Sequence, residues 1–140
     1  MGGTFDHLHQ GHKYLIQTGL TFSKKLVIGL ISDDLLKNKA CASKIEPYQL
    51  RKTNLLAYIS SIASLDRVEI EKLVDIYGSA IYDPEYEALI VSQETYQTAL
   101  KINEIRVEKG FNPLLVIVIP FVKDKNNKKI SSTAIRKKLS

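Results

Sequence analysis

Gly2-Gly-Thr-Phe-Asp-His-Leu-His-Gln-Gly-His12 is the stretch on which the fold turns, because it joins backbone freedom and imidazoles at the start of a helix. Gly2, Gly3 and Gly11 allow main chain to approach a bound group where a Cβ would clash. The chain's three histidines, His7, His9 and His12, all lie here. From about Gln10 the apolar spacing of Tyr14, Leu15, Leu20 and Phe22 predicts an amphipathic helix. His9 and Gly11 then sit at its N-terminus, where unpaired N–H groups and the positive end of the dipole favour anions. That is the composition of a phosphate site. A plain turn, surface histidines or a His7, His9, His12 metal cluster would use the same residues. Zinc ligation is the weaker reading: a helix-borne pair takes i, i+4 spacing, a closed site takes four ligands, and the one cysteine, Cys41, is far along the chain.

Outward from that stretch, Leu26-Val-Ile-Gly-Leu-Ile31 is a short apolar run rich in β-branched residues, as in a parallel strand covered on both faces. A polar loop from Ser32 to Glu46 follows. Pro47 suits the first turn of a helix continuing through Leu50, Leu55, Leu56, Ile59 and Ile62. Arg67-Val-Glu-Ile-Glu-Lys-Leu73 alternates apolar and charged side chains, which predicts a strand near a sheet edge with one wet face. Ala88-Leu-Ile-Val91 is a compact strand, and Ser92 to Thr95 precedes a helix running to Lys109, stopped by Gly110. Leu114-Leu-Val-Ile-Val-Ile119, the most apolar run, is expected to be a central strand ended by Pro120. Asp124 to Lys129 is read as a solvated turn, and Ser131-Ser-Thr133 as an N-cap cluster opening a last short helix with Arg136 one turn in.

Strands alternating with helices predict right-handed βαβ crossovers and a Rossmann-like, doubly wound parallel α/β sheet with helices on both faces. At 140 residues this is the size of one domain, 1–140, able to bury a core without disulfides. Ligands in such sheets sit outside the carboxyl ends of the strands. Gly2 to His12, Ser92 to Thr95 and Ser131 to Arg136 each occupy a strand-to-helix junction, so one crevice can collect all three.

The net charge of +5 arises from twenty Lys and Arg against fifteen Asp and Glu. From Lys123 to Ser140 seven basic residues face one acid, Asp124, so the excess is local to the second hydroxyl-rich cluster. That tail lacks the interleaved aromatics of a nucleic-acid reader and fits a polyphosphate pocket better. No apolar run has the length of a membrane span, and one cysteine cannot form an internal disulfide, which points to a soluble cytoplasmic protein.

Gly3-Thr4-Phe5-Asp6 followed by His9-Gln10-Gly11-His12 resembles the HxGH signature of the nucleotidyltransferase superfamily. Ile130-Ser131-Ser132-Thr133-Ala134-Ile135-Arg136 resembles its second signature, ISSTxxR. Within the superfamily the chain is most similar to phosphopantetheine adenylyltransferases of the archaeal and eukaryotic type. That likeness rests on Val27-Ile-Gly-Leu-Ile-Ser-Asp33, Ile45-Glu-Pro-Tyr-Gln-Leu-Arg-Lys52, Asp75-Ile-Tyr-Gly78, Val91-Ser-Gln-Glu-Thr95, Lys101-Ile-Asn-Glu-Ile-Arg106 and Val118-Ile-Pro120. The resemblance implies transfer of the adenylyl group of ATP to 4′-phosphopantetheine, giving 3′-dephospho-coenzyme A and pyrophosphate, with magnesium. It implies that His9, His12, Thr4 and Arg136 serve the chemistry. By the same resemblance Gly3, Phe5, Gly11, Ser131, Ser132 and Thr133 are expected around the nucleotide phosphates, Ser92, Glu94 and Thr95 beside the adenosine, and Lys37, Lys39 and Arg51 at the acceptor phosphate. Asp6 is read as bracing the loop rather than ligating magnesium; Asn103 and Arg106 suit either a structural or a ligand-facing part. No protein metal ligands are expected, and a monomer is the default.

Family members carry a β-strand immediately before Gly-Thr-Phe-Asp, whereas Met1 and Gly2 alone precede Gly3 here. The first strand is therefore expected to be short or missing, and extension upstream by a strand's length to raise the melting temperature. Rival readings are a glycerol-phosphate or choline-phosphate cytidylyltransferase, a nicotinamide-mononucleotide or flavin (FMN) adenylyltransferase, and a non-catalytic nucleotide-binding module.

Overall fold

The structure, a computed structural model, describes residues 1–37 and 44–120. Among the described residues there are five strands and three α-helices, in the order β1 (Gly2–Gly3), α1 (Gln10–Phe22), β2 (Leu26–Ile31), α2 (Tyr48–Ile62), β3 (Val68–Leu73), β4 (Ala88–Ser92), α3 (Tyr96–Glu108) and β5 (Leu115–Ile119), and every strand pairing is parallel. Short 3₁₀ turns at Asp34–Leu36, Leu65–Arg67 and Gly78–Ile81 punctuate the connections. No helix among the described residues is long and apolar enough to cross a membrane.

β2 pairs in parallel with β1 on one side and with β3 along its whole length on the other, from Leu26 opposite Val68 to Ile31 opposite Leu73. β4 and β5 form a separate parallel pair. β1 is as short as expected. Two residues give it one ladder, to β2, extended by the Gly29 N–H donating to the Met1 carbonyl at 2.8 Å. Among the described residues no ladder joins β1 to β4; α1 packs against β4 and links the two parts instead.

Burial follows this division. Ile16, Leu26, Ile28, Leu30, Leu55 and Ile59 form a core between β2 and helices α1 and α2, closed by Phe5 and Tyr48. A second cluster joins Ile81, Ile102 and Leu114 beneath α3. At Gly19 of α1 a Cβ would lie 2.5 Å from Met1 Cε and 3.0 Å from Leu26 Cδ1, so the missing side chain lets the helix approach the strands.

Three expectations need correction. Pro47 is the N-cap of α2, not its first-turn residue. The buried stripe of α2 is Tyr48, Arg51, Leu55 and Ile59, while Leu50 and Ile62 are exposed. The helix is rotated because a guanidinium, not a leucine, satisfies the carbonyls at the strand ends. β5 is not central among the described residues, since it pairs only with β4 and leaves Leu115 67% exposed. An uninterrupted apolar run reports composition, and composition alone does not fix a strand's neighbours.

Candidate nucleotide-binding site

α1 opens on an imidazole cap. His9 is the N-cap in extended backbone (φ −130°), and its Nδ1 accepts the Gly11 N–H at 3.1 Å. The His9 N–H in turn donates to Nδ1 of His12 at 3.3 Å. This is the reciprocal logic of a capping box, with two imidazoles in place of a hydroxyl and a carboxylate. Because both Nδ1 atoms accept, the neutral rings carry their protons on Nε2. The rings stack with centroids 3.7 Å apart and 21° between planes, and Phe5 packs against His12 at 5.3 Å.

Burial lowers the pKa of His12 to about 3, helped by the neighbouring His9. Burial lowers that of His9 as well, opposed by the negative charge of Glu94. Near neutrality both rings are therefore uncharged N–H donors. The Nε2 of His9 is sealed from solvent and has no hydrogen-bond partner among the described residues. An orphaned donor of this kind costs about 1–3 kcal/mol, which an acceptor atom of a ligand would recover.

The loop before the cap is strained at unexpected positions. Freedom was anticipated at Gly2, Gly3 and Gly11, but the left-handed residues are Phe5 (φ 50°) and His7 (φ 46°). Non-glycine residues hold this region at a cost of about 1–2 kcal/mol each, so neighbours must impose it. The buried Asp6 carboxylate accepts the Glu46 N–H at 2.9 Å, and Glu46 Oε1 accepts the His7 N–H at 2.8 Å. Asp6 thus braces the loop, as read from the sequence. Asp6, His7 and Glu46 also lie close enough to hold a cation, their ligand atoms within 4.8 Å of one another. The His7 Nε2 is 3.1 Å from the Lys44 carbonyl, however, so all three side chains tie loop to loop.

Arg51 is fully buried. Its Nε donates to the Glu46 carbonyl, one terminal nitrogen donates to the carbonyls of Thr4 (2.9 Å) and Ile31 (2.8 Å), and the other donates to Asp33 Oδ1 at 2.8 Å. Lys37 is exposed and paired with Asp34 at 3.3 Å. Lys39 lies outside the described residues, as do Ser131, Ser132, Thr133 and Arg136.

The Ser92–Thr95 junction lies near the start of α1, since α1 packs on β4 and the negative charge of Glu94 acts on His9. Thr95 Oγ1 accepts the Ser92 N–H at 3.2 Å, closing the turn into α3. A hollow of about 290 Å³ bordered by Gln93, Tyr96 and Val118 lies at this carboxyl end of β4 and β5. Those three residues were not singled out in the sequence; the position of Gln93 inside Ser92–Thr95 was the available signal. Asn103 and Arg106 take the structural part. Asn103 pairs with both N–H and C=O of Leu114, and buried Arg106 donates to the carbonyls of Ala80, Asp83 and Asn112.

A parallel α/β sheet with a donor-lined helix start at its carboxyl end is an anion-binding arrangement. The family model described as cytidylyltransferase-like matches residues 1–138. Fold and match together define a nucleotidyltransferase, a class of enzyme that generally works with a divalent metal.

Curated relatives narrow the class. A phosphopantetheine adenylyltransferase of Pyrococcus abyssi is 43% identical over 136 residues, covering 97% of this chain and 86% of that protein. One from Methanopyrus kandleri is 40% identical with the same coverage. The Saccharomyces cerevisiae enzyme is 40% identical over 145 residues, 99% of this chain and 47% of the yeast protein. The crystal structure of a protein of unknown function from Archaeoglobus fulgidus superposes with a TM-score of 0.77 at 32% identity, covering 87% of this chain and 97% of that one. The chain belongs to the phosphopantetheine adenylyltransferase family of archaea and eukaryotes.

Proposed function

We propose that this chain transfers the adenylyl group of ATP to 4′-phosphopantetheine, releasing pyrophosphate and forming 3′-dephospho-coenzyme A, a step of coenzyme A synthesis in the cytoplasm. The names of its relatives support the substrates. The observation that carries the chemistry is the stacked, neutral His9–His12 pair at the start of α1, with its orphaned Nε2 donor.

No protein nucleophile is needed. A phosphate oxygen of 4′-phosphopantetheine attacks the α-phosphorus of ATP, the bond from that phosphorus to the bridging oxygen breaks, and pyrophosphate leaves with the electron pair. Catalysis is then positioning and charge stabilisation. His9 and His12 donate from Nε2 to phosphate oxygens as negative charge grows on the leaving group. Thr4 orients the attacking phosphate and the α-phosphate, and the Gly3–Phe5 backbone lines the phosphate path with Gly11, whose missing side chain lets a phosphate approach. Ser131, Ser132, Thr133 and Arg136 serve the β- and γ-phosphates. Ser92, Glu94 and Thr95 border the adenosine, while Lys37 and Lys39 draw the acceptor phosphate. The imidazole cap offers donors rather than carboxylate oxygens, so a magnesium ion would be held mainly by the triphosphate of ATP, where it would neutralise phosphate charge.

The test is pyrophosphate release from ATP offered 4′-phosphopantetheine, glycerol 3-phosphate or nicotinamide mononucleotide in parallel, with CTP as the alternative nucleotide. Turnover confined to ATP with 4′-phosphopantetheine is expected. Turnover with CTP and glycerol 3-phosphate would replace this reading by a cytidylyltransferase, and no turnover with any acceptor would replace it by a non-catalytic binding module.

A further inference from the structure

Three arginines are used as carbonyl clamps. Arg67 donates to the carbonyls of Leu20, Ser23 and Lys24 at the far end of α1, and Arg106 ties α3 to the segments at Ala80, Asp83 and Asn112. Both are remote from the imidazole cap in the chain and hold peripheral loops. Arg51 differs in what it holds. The carbonyl of Thr4 belongs to the peptide immediately before Phe5, so the 2.9 Å bond to Arg51 fixes the plane about which Phe5 adopts φ 50°. That backbone places the Phe5 ring in the core, 2% exposed, and against His12. The same guanidinium reaches Ile31 at the end of β2, Glu46 in the bracing loop and Asp33, which also accepts the Tyr48 N–H at 3.1 Å.

We infer that Arg51 is a positioning residue for the transfer reaction: through the Thr4 carbonyl and the Phe5 ring it sets the place of the His12 imidazole, and it does not itself contact the acceptor. The inference rests on the adenylyl-transfer reading for its kinetic consequence only. Its geometry stands on the chain Arg51, Thr4, Phe5, His12. Lysine cannot replace the fork, since one ammonium lacks the planar, divergent N–H groups needed to hold Thr4, Ile31, Glu46 and Asp33 together.

The test compares Arg51→Lys with Arg67→Lys, a clamp of similar construction elsewhere. Steady-state kinetics with ATP and 4′-phosphopantetheine are measured alongside imidazole ¹H–¹⁵N spectra, which three histidines make assignable. Arg51→Lys is expected to lower kcat by about tenfold or more with KM for both substrates within about twofold, and to shift the His12 resonances. Arg67→Lys is expected to lower the melting temperature while leaving kcat and the His12 resonances as in the unmodified chain. Should Arg51→Lys not fold, Asp33→Asn loosens the same clamp and must move the His12 signals in the same direction. Unchanged His12 resonances in the folded Arg51 or Asp33 variant would overturn the inference. So would a raised KM for 4′-phosphopantetheine at constant kcat, which would make Arg51 an acceptor ligand. Absence of turnover in the unmodified chain would overturn the transfer reading alone, the spectra still deciding the role of Arg51.

Discussion

The Nδ1 of His12 accepts the backbone N–H of His9 at 3.3 Å, so the second imidazole of the motif caps the helix that carries it. In the proposed reaction one pair of rings would serve both capping and catalysis. Each uses Nδ1 to hold backbone, and the buried Nε2–H of His9 is a donor without a partner among the described residues.

His12→Ala is expected to lower kcat by about 10²–10³, the usual effect of removing one preorganised donor to developing charge, with far-ultraviolet circular dichroism unchanged. His9→Ala removes a donor and the N-cap together, adding a stability loss of about 1 kcal/mol. Near-normal turnover in either variant would take that ring out of the mechanism.

Acid should destabilise the fold through His12. Its pKa falls from 6.5 to about 3 on folding, chiefly by burial, so the unfolded chain binds a proton where the folded chain does not. The stability it contributes is full above pH 6.5 and is lost as pH falls towards 3. Urea unfolding at pH 7.5 and pH 5 should show this as a loss of up to about 2 kcal/mol, smaller in His12→Asn. An equal loss in the variant would place the acid sensitivity elsewhere.

Asn103 should be structural. Its side-chain amide satisfies both the N–H (2.7 Å) and C=O (2.9 Å) of buried Leu114 at the entry to β5. Asn103→Ala is expected to cost about 2–3 kcal/mol in urea unfolding, and Asn103→Asp no less, since a carboxylate oxygen would face the Leu114 carbonyl in place of the donating amide. Saturated turnover should stay within about twofold of normal; a large loss with full stability would make Asn103 a ligand contact.

Where the sequence was legible, short-range physics was sufficient. The start of α1 at Gln10, the stop at Gly110 (φ 84°) and the presence of β3 follow from capping, left-handed glycine and strand composition, all of them local. The place of His9 at the helix start was readable for the same reason, whereas His12 was singled out by the resemblance to the HxGH signature and the reciprocal cap was not foreseen. Long-range placement was not. Arg51 was expected from the resemblance to reach for the acceptor phosphate, and only the arrival of three carbonyls from Thr4, Ile31 and Glu46 shows the buried clamp it forms instead. Phe5 and His7 hold left-handed backbone because Arg51, Asp6 and Glu46 impose it, and no propensity rule assigns that conformation to phenylalanine. The break between β1 and β4 likewise depends on which strands meet, a property that an apolar run does not encode.

The central claim is that the imidazole cap of α1 and the hydroxyl and guanidinium cluster of Ser131 to Arg136 bind one triphosphate from two sides. A crystal structure of this chain with a non-hydrolysable ATP analogue and magnesium measures that directly. The account predicts phosphate oxygens within hydrogen-bond reach of His9 Nε2 and His12 Nε2 on one side and of the Ser131–Arg136 segment on the other. A triphosphate bound away from the two imidazoles, or touched by one cluster alone, would contradict it.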